Sequence, residues 1–243
     1  MKILITGSGG FIARNLIVEL GNRGYKDLLL CDRSTTREEL DRYVEECGFL
    51  IHLAGVNRPQ QEEEFYSGNA GFTEELIKIF EAKHKNVPVI YSSTTLDTPH
   101  VHYGRSKREA ERILQEYGNR TGSPISIFRL PNVFGKWSRP NYNSFVATFC
   151  YNVSHDLDIK VHDPGAQVRL VYIDDVVNEV ISCLEEGDDK RERFPEISEM
   201  YETTVGEVAE RILSFKKGRD SLEIPDIEDS LGKKLYSTYL SYL

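Results

Sequence analysis

Tyr103 and Lys107 stand four residues apart in the run Tyr103-Gly104-Arg105-Ser106-Lys107. On a helix that spacing places both side chains on one face, one turn apart. A phenol beside an ammonium is a tuned proton donor. A free Tyr titrates near ~10, so proton transfer at neutral pH asks for a drop of about 3, worth about 4 kcal/mol. One unit charge about 4 Å away, at an effective dielectric of about 20, supplies that much. The pair alone reads more readily as a solvated helical turn, and its neighbours decide its weight. Upstream, Ser92-Ser93-Thr94-Thr95 offers a row of hydroxyls. Near the start, Gly7-Ser8-Gly9-Gly10-Phe11-Ile12-Ala13 offers a glycine turn. Glycines let backbone approach a pyrophosphate, and a following helix presents free N–H groups and a positive dipole end.

These groups need strands and helices to position them. Lys2 to Thr6 reads as a short strand buried on both faces, feeding the glycine turn and an apolar-periodic helix through Leu16, Ile17 and Leu20. A second strand, Asp27 to Cys31, ends at Asp32-Arg33. An Asp there accepts from an adenosine ribose hydroxyl, favouring NAD; an Arg pairs with a 2′-phosphate, favouring NADP. Convergence of Arg33 and Arg14 on one phosphate favours NADP(H), with NAD(H) as the alternative if Asp32 does the reading. Thr35 or Thr36 with Glu38 or Glu39 forms a capping box for a helix through Leu40 and Val44. Phe49 to Gly55 reads as a third strand, Val87 to Tyr91 as a fourth delivering the hydroxyl row, and Ser126 to Arg129 as the next. Hydroxyls at the C-terminal end of a parallel strand lie where α/β folds bind ligands.

Beyond residue 140 the pattern predicts a helix over 144–153, strands over 159–162 and 168–173, and a helix over 176–184 capped by Asp174 or Asp175. Thr204 and Glu207 form a further capping box before a helix through Phe215. The last nine residues, Leu235 to Leu243, are apolar and aromatic to the end, as a packed segment or a linker to more chain. The expected fold is α/β: a Rossmann-type doubly wound parallel sheet with a small C-terminal substrate-binding lobe. One domain over 1–243 is expected, with a dinucleotide-binding core over about 1–140 and a lobe over 141–243.

Composition narrows the class. The 243 residues carry 30 Lys and Arg against 39 Asp and Glu, a net charge of -9. That gives no basic footprint for nucleic acid and no polybasic membrane patch. No apolar run approaches ~18 residues. Cys31, Cys47, Cys150 and Cys183 are scattered, which reads as buried thiols in a reducing cytoplasm. His100 and His102 suggest a metal only weakly, because no Cys or carboxylate cluster completes a ligand set.

The spacing Gly7-x-x-Gly10-x-x-Ala13, the segment His52-Leu53-Ala54-Gly55 and the order Thr94, Tyr103, Lys107 together resemble the extended short-chain dehydrogenases that act on sugar nucleotides. The resemblance implies Thr94, Tyr103 and Lys107 as the catalytic set. It implies cofactor contacts from Gly7, Gly9, Gly10, Phe11, Ile12, Asp32, Arg33, Leu53, Ala54, Gly55 and Lys107. Asn69 matches an Asn that opens the next helix in the family, and helix N-capping is an equal reading. Arg129-Leu130-Pro131-Asn132-Val133-Phe134-Gly135 resembles the family stretch that borders nicotinamide and sugar, placing Asn132 at the substrate. The pattern around Arg169 and Asp174 resembles the lobe signature in which the Arg grips a diphosphate. Thr95-Leu96 stand where the family's 4,6-dehydratases carry Asp-Glu, so the acid–base pair for eliminating water is absent.

Four longer runs narrow the resemblance: His52 to Pro59, Pro131 to Trp137, Asn141 to Cys150, and Leu235 to Leu243. They are similar to the bifunctional capsular-polysaccharide reductases of the UDP-N-acetyl-L-fucosamine pathway, over essentially the whole chain. The basic, aromatic loop from Lys136 to Ser144, Asn143 included, suits a nucleoside diphosphate, since Arg pairs with phosphate and rings stack on uracil; a mobile surface loop with one packed Trp is the alternative. The implied activity is NADPH-dependent reduction of the C4 ketone of a UDP-linked 4-keto-6-deoxy-N-acetylhexosamine. A sugar-nucleotide epimerase that retains its NAD, and an idle nucleotide-binding domain, are the alternatives. The family's zinc-dependent cupin domain has no counterpart among these residues, so epimerisation at C3 is not expected of this chain. A cytoplasmic homodimer is implied, through the helix after Asn69 and the helix carrying Tyr103.

Overall fold

The computed structural model describes residues 1–95, 102–186, 192–221 and 228–243. In chain order the elements are β1 (Ile3–Thr6), α1 (Phe11–Asn22), β2 (Leu28–Cys31), α2 (Arg37–Glu46) and β3 (Phe49–His52). There follow α3 (Glu63–Tyr66), a π-helical turn (Ser67–Gly71), α4 (Phe72–Ala82), β4 (Val89–Thr94), α5 (His102–Thr121) and β5 (Ile125–Leu130). The remainder is β6 (Asn132–Phe134), α6 (Phe145–Ser154), β7 (Gln167–Tyr172), α7 (Ile173–Glu185), β8 (Glu192–Arg193), β9 (Tyr201–Thr204), α8 (Val205–Ser221) and α9 (Ser230–Leu240).

The chain forms two compact units, residues 1–130 with 177–196, and residues 131–176 with 197–243. The division therefore falls at Leu130, ahead of the boundary near 140 expected from sequence, and a later segment returns to the first unit. The first unit is built on a parallel sheet in the order β2-β1-β3-β4-β5-β8. The chain winds outward from β1 to β2, then crosses back to β3 and on to β5. That reversal between β1 and β3 is the switch point at which open α/β sheets take ligands. Right-handed crossovers send α1 to one face and α2, α4 and α5 to the other. Leu4, Leu50, Val89, Tyr91 and Ile127 meet Leu40 and Val44 of α2, Leu76 and Phe80 of α4, and Leu114 and Tyr117 of α5 in one buried cluster. Each such aliphatic side chain contributes about 1.5–3 kcal/mol by leaving water. β1 and β3 are buried along their whole length, which is why both read as unbroken apolar runs.

The second unit carries a sheet in the order β6-β7-β9, parallel between β6 and β7 and antiparallel between β7 and β9. The strand expected over 159–162 does not form. Residues 159–162 join neither sheet, and Ile159 and Val161 are only half-buried. The capping boxes are present at Thr36 with Glu39, and at Thr204 with Glu207. Ser144 caps α6 through the Ala147 N–H. Asp174 and Asp175 lie inside the first turn of α7, because that helix begins at Ile173. Their carboxylates face the positive helix end but pair with Lys136 and Lys234 rather than capping the backbone. The aromatic tail forms α9, which buries Leu231, Leu235 and Tyr239 within its unit. Lys234 anchors it, donating to Asp175 at 2.7 Å, to Tyr201 Oη at 2.7 Å and to Glu199.

Candidate active site

The glycine turn lies at the C-terminal end of β1. Gly7 has φ +69°, and a Cβ there would stand 2.7 Å from Ala54 Cα. The turn and the end of β3 therefore approach backbone to backbone, which a side chain would prevent. Gly10 is the N-cap of α1 and carries no side-chain cap, while a Cβ at Gly9 would meet nothing within 4 Å. Phe11 and Ile12 open the helix, half-buried, and Arg14 is exposed on its first turn. At the end of β2, the Asp32 carboxylate accepts from the Ser34 N–H at 2.8 Å and the Ser34 hydroxyl at 2.6 Å. These bonds hold its pKa below the usual carboxylate range. Arg33 beside it is exposed.

Below this mouth lies a buried polar chain. His52, fully buried, accepts at Nδ1 from Thr6 Oγ1 (2.6 Å) and donates from Nε2 to Thr73 Oγ1 (2.9 Å). The tautomer follows by accounting: the Thr73 hydroxyl proton goes to Asn69 O at 2.9 Å, so its oxygen must accept. Thr6 Oγ1 in turn accepts from the Ala54 N–H at 3.2 Å. Burial, and then the charge of Lys107, push the His52 pKa down to about 3, so the imidazole is neutral.

Thr94 closes β4 and is buried. The strand runs three residues further than the sequence pattern suggested, so Ser92, Ser93 and Thr94 are held in the sheet by pairing with Phe128, Arg129 and Leu130. Tyr103 and Lys107 fall in the first two turns of α5, as their spacing predicts. Lys107 is buried, with Nζ 4.2 Å above the centre of the Tyr91 ring. Burial, opposed by the charge of Glu111, pulls the Lys107 pKa down to about 7. The expectation that Lys107 depresses the Tyr103 phenol meets a different balance here. Burial raises the Tyr103 pKa, so the phenol keeps its proton at neutral pH. His102, one residue earlier, lies 3.1 Å from the Glu62 carboxylate. His100 and Leu96 lie outside the described residues. Among the described residues no group of three or more His, Cys, Asp or Glu is placed to hold a metal.

Two buried side chains tie these pieces together. Asn69 occupies the π-helical turn and is not an N-cap; the helix is already running at Glu63. Such single π turns recur at functional sites. Its amide donates to Val56 O (3.0 Å) and Ser106 Oγ (2.8 Å) and accepts from Val56 N (2.8 Å), while Ser106 Oγ donates to Tyr103 O (2.8 Å). The loop after β3 is thereby fastened to the turn bearing Tyr103. Gly55 lies in that loop, where a Cβ would stand 2.8 Å from Asn69 Oδ1 and 3.5 Å from Lys107 Nζ. Glu111, one turn beyond Lys107, is the second, and sequence reading passed it over. Its signal was the spacing itself, four from Lys107 and eight from Tyr103 on one helix face.

The three residues expected at the substrate lie in the second unit. Asn132 opens β6 and donates to Arg169 O on β7 at 3.3 Å, so strand pairing brings these two together. Arg169 is exposed and pairs with Glu202 across the β7–β9 ladder at 3.0 Å. Asn143 is exposed in the turn before α6. In the preceding loop Trp137 and Asn141 adopt positive φ, and Arg139 lies over the Tyr142 ring at 5.5 Å.

A family model for the NAD dependent epimerase/dehydratase family matches residues 3–195. The chain belongs to that family. It is 42% identical over 243 residues to a UDP-2-acetamido-2,6-beta-L-arabino-hexul-4-ose reductase of Pseudomonas aeruginosa, spanning all of this chain and 65% of that protein. The crystal structure of the capsular polysaccharide assembling protein CapF from Staphylococcus aureus superposes with a TM-score of 0.88 at 34% identity, over 100% of this chain and 65% of that one. A Thermus thermophilus UDP-glucose 4-epimerase in complex with NAD shares the fold, with a TM-score of 0.79 at 17% identity over 100% and 99% of the two chains. The chain thus spans about two thirds of the length of its reductase relative. Among the described residues no helix is long and apolar enough to cross a membrane.

The site of this family member fits a dinucleotide. The uncapped start of α1, the open position at Gly9 and the close approach of Gly7 to Ala54 leave backbone donors and room for a pyrophosphate. Four cysteines, Cys31, Cys47, Cys150 and Cys183, are buried free thiols.

Proposed function

We propose that this chain reduces the C4 ketone of a UDP-linked 2-acetamido-2,6-dideoxy-hexos-4-ulose with NADPH, giving a 4-hydroxy sugar of the UDP-N-acetyl-L-talosamine type for a surface polysaccharide. The observation that carries the reading is the α5 face, where Tyr103 and Lys107 follow a strand ending in Thr94, in a chain 42% identical throughout to a reductase of such a sugar. In this reading Gly7, Gly9, Gly10, Phe11 and Ile12 hold the pyrophosphate, and Leu53, Ala54 and Gly55 line the adenosine side. The bound nicotinamide supplies a hydride to C4. Tyr103 gives its phenolic proton to the ketone oxygen as charge develops there, which balances the reduction of the carbonyl to an alcohol. Burial that keeps the phenol protonated suits a donor in this direction. Thr94 donates a hydrogen bond to the same oxygen. Lys107, one turn along α5 from Tyr103, contacts the nicotinamide ribose.

NADPH is the preferred cofactor in this reading. One oxygen of Asp32 is occupied by its own turn, and Arg33 stands exposed next to it for a 2′-phosphate, with Arg14 exposed just past the glycine turn. Asn132, Asn143 and Arg169 take the sugar and diphosphate, Arg169 exchanging its exposed Glu202 partner for phosphate. A homodimer through α4 and α5 accompanies the reading. Light scattering on the purified chain tests it.

The test follows NADPH and NADH oxidation with UDP-linked 4-keto-6-deoxy-N-acetylhexosamines of both C5 configurations. The expected result is oxidation of NADPH in preference to NADH. Tyr103→Phe should lower kcat by roughly a hundredfold or more, with cofactor affinity within about twofold of the parent. Undiminished turnover in Tyr103→Phe would overturn the assignment.

A further inference from the structure

Glu111 is 2% exposed, and it is ionised. Burial opposes its charge, but hydrogen bonds from Arg129 and Ser93 and the charges of Arg108 and Arg129 outweigh that and hold its pKa below the usual value. Arg129 reaches Oε2 through Nη2 at 2.7 Å and Nε at 3.2 Å. Arg108 Nη1 donates to both carboxylate oxygens at 3.1 Å, and Ser93 Oγ donates to Oε1. A lone buried carboxylate is expensive, so a cluster this complete is either a plain structural clasp or a device serving its neighbours.

Its position favours the second. Ser93 directly precedes Thr94 on β4, and Arg129 is its register partner on β5. Glu111 shares the helix face of Tyr103 and Lys107. The Ser93–Glu111 bond therefore joins the strand that carries Thr94 to the helix that carries the other two. The groups around the Lys107 amine are His52 from β3, Tyr91 from β4 and Glu111 from α5, with Tyr103 one turn back on the same helix face. His52 and both phenols are neutral at pH 7, so among these Glu111 alone is an anion.

We propose that Glu111 is a positioning residue of the ketoreductase site: it locks the Tyr103/Lys107 face of α5 to β4 beside Thr94 and sets a negative charge one helical turn from the Lys107 amine. The proposal rests on the reductase reading for the reaction it serves, but its electrostatic half concerns the free protein.

Two variants and two readouts test it. Glu111→Gln keeps shape and loses charge; Ser93→Ala keeps the charge and loses the bond to β4. The Lys107 amine is titrated by NMR on 13C-lysine-labelled protein without cofactor, its signal assigned with Lys107→Arg. In Glu111→Gln the Lys107 midpoint should move to lower pH, and the alkaline limb of kcat/KM should move with it. In Ser93→Ala both should stay in place while kcat falls roughly tenfold, with the KM for cofactor within about twofold. A residue that merely stabilised the fold would lower the melting temperature and move neither midpoint nor limb. An unmoved Lys107 midpoint in folded Glu111→Gln overturns the proposal. If that variant does not fold, an undiminished kcat in Ser93→Ala overturns it instead. Absence of turnover in the parent protein defeats the reductase reading, and the Lys107 titration then still judges the role of Glu111.

Discussion

His52 makes the protein sensitive to mild acid in a way that can be isolated. The imidazole is fully buried, its Nε2 proton goes to Thr73, and its Nδ1 accepts from Thr6. A second proton on Nδ1 has no acceptor unless Thr6 gives up that donation, and Lys107 opposes the added charge. The folded-state pKa is about 3 against 6.5 in an unfolded chain. Because folding depresses this pKa, the unfolded state binds the extra proton. Stability is full above about pH 6.5 and declines as pH falls toward about 3, by up to about 1.4 kcal/mol per pH unit. Between about pH 7.5 and about pH 5 the loss is about 2 kcal/mol from this residue alone, before most carboxylates titrate. Urea unfolding of the parent and of His52→Gln at the two pH values measures it. The variant should be less stable at pH 7.5, but its own loss on acidification should be smaller by about 2 kcal/mol. Parallel acid sensitivity in the two proteins would refute the argument, since His52 would then not be the proton acceptor on unfolding.

Two further perturbations probe the cofactor turn and the tail. Gly7→Ala adds a methyl 2.7 Å from Ala54 Cα at φ +69°, so it should cost at least about 1–2 kcal/mol in urea unfolding and weaken NADPH binding roughly tenfold or more by fluorescence titration. Full cofactor affinity in that variant would count against the turn as the pyrophosphate site. Lys234→Met leaves Asp175, 20% exposed, and Glu199 facing Tyr201 without their cation, so the chain should lose about 2 kcal/mol of stability. A loss below about 0.5 kcal/mol would mean that apolar burial by Leu235 and Tyr239, rather than the Lys234 cluster, holds α9.

Much of this site was present in the order of residues. The glycine turn, the capping boxes at Thr36 and Thr204, and the helical spacing of Tyr103 and Lys107 are local features. Each depends on backbone freedom, a side chain reaching three residues along, or one helical turn, and all three are written in consecutive residues. The buried runs of β1 and β3 were equally legible, because a parallel strand covered on both faces needs no alternation. What failed was non-local. The alternating stretch 159–162 looks like a strand, yet it pairs with no strand of either sheet. Asp174 and Asp175 look like caps, but Ile173 has already entered the helix and lysines far along the chain take the carboxylates. The balance of charge at Tyr103 and Lys107 was beyond reach, since it is set by how deeply both are buried and by Glu111. The residue types and their spacing determined which groups can do the chemistry. Only the tertiary structure decided their protonation, because desolvation, and the Arg129 charge that β5 brings to Glu111, exist only once the sheet has assembled.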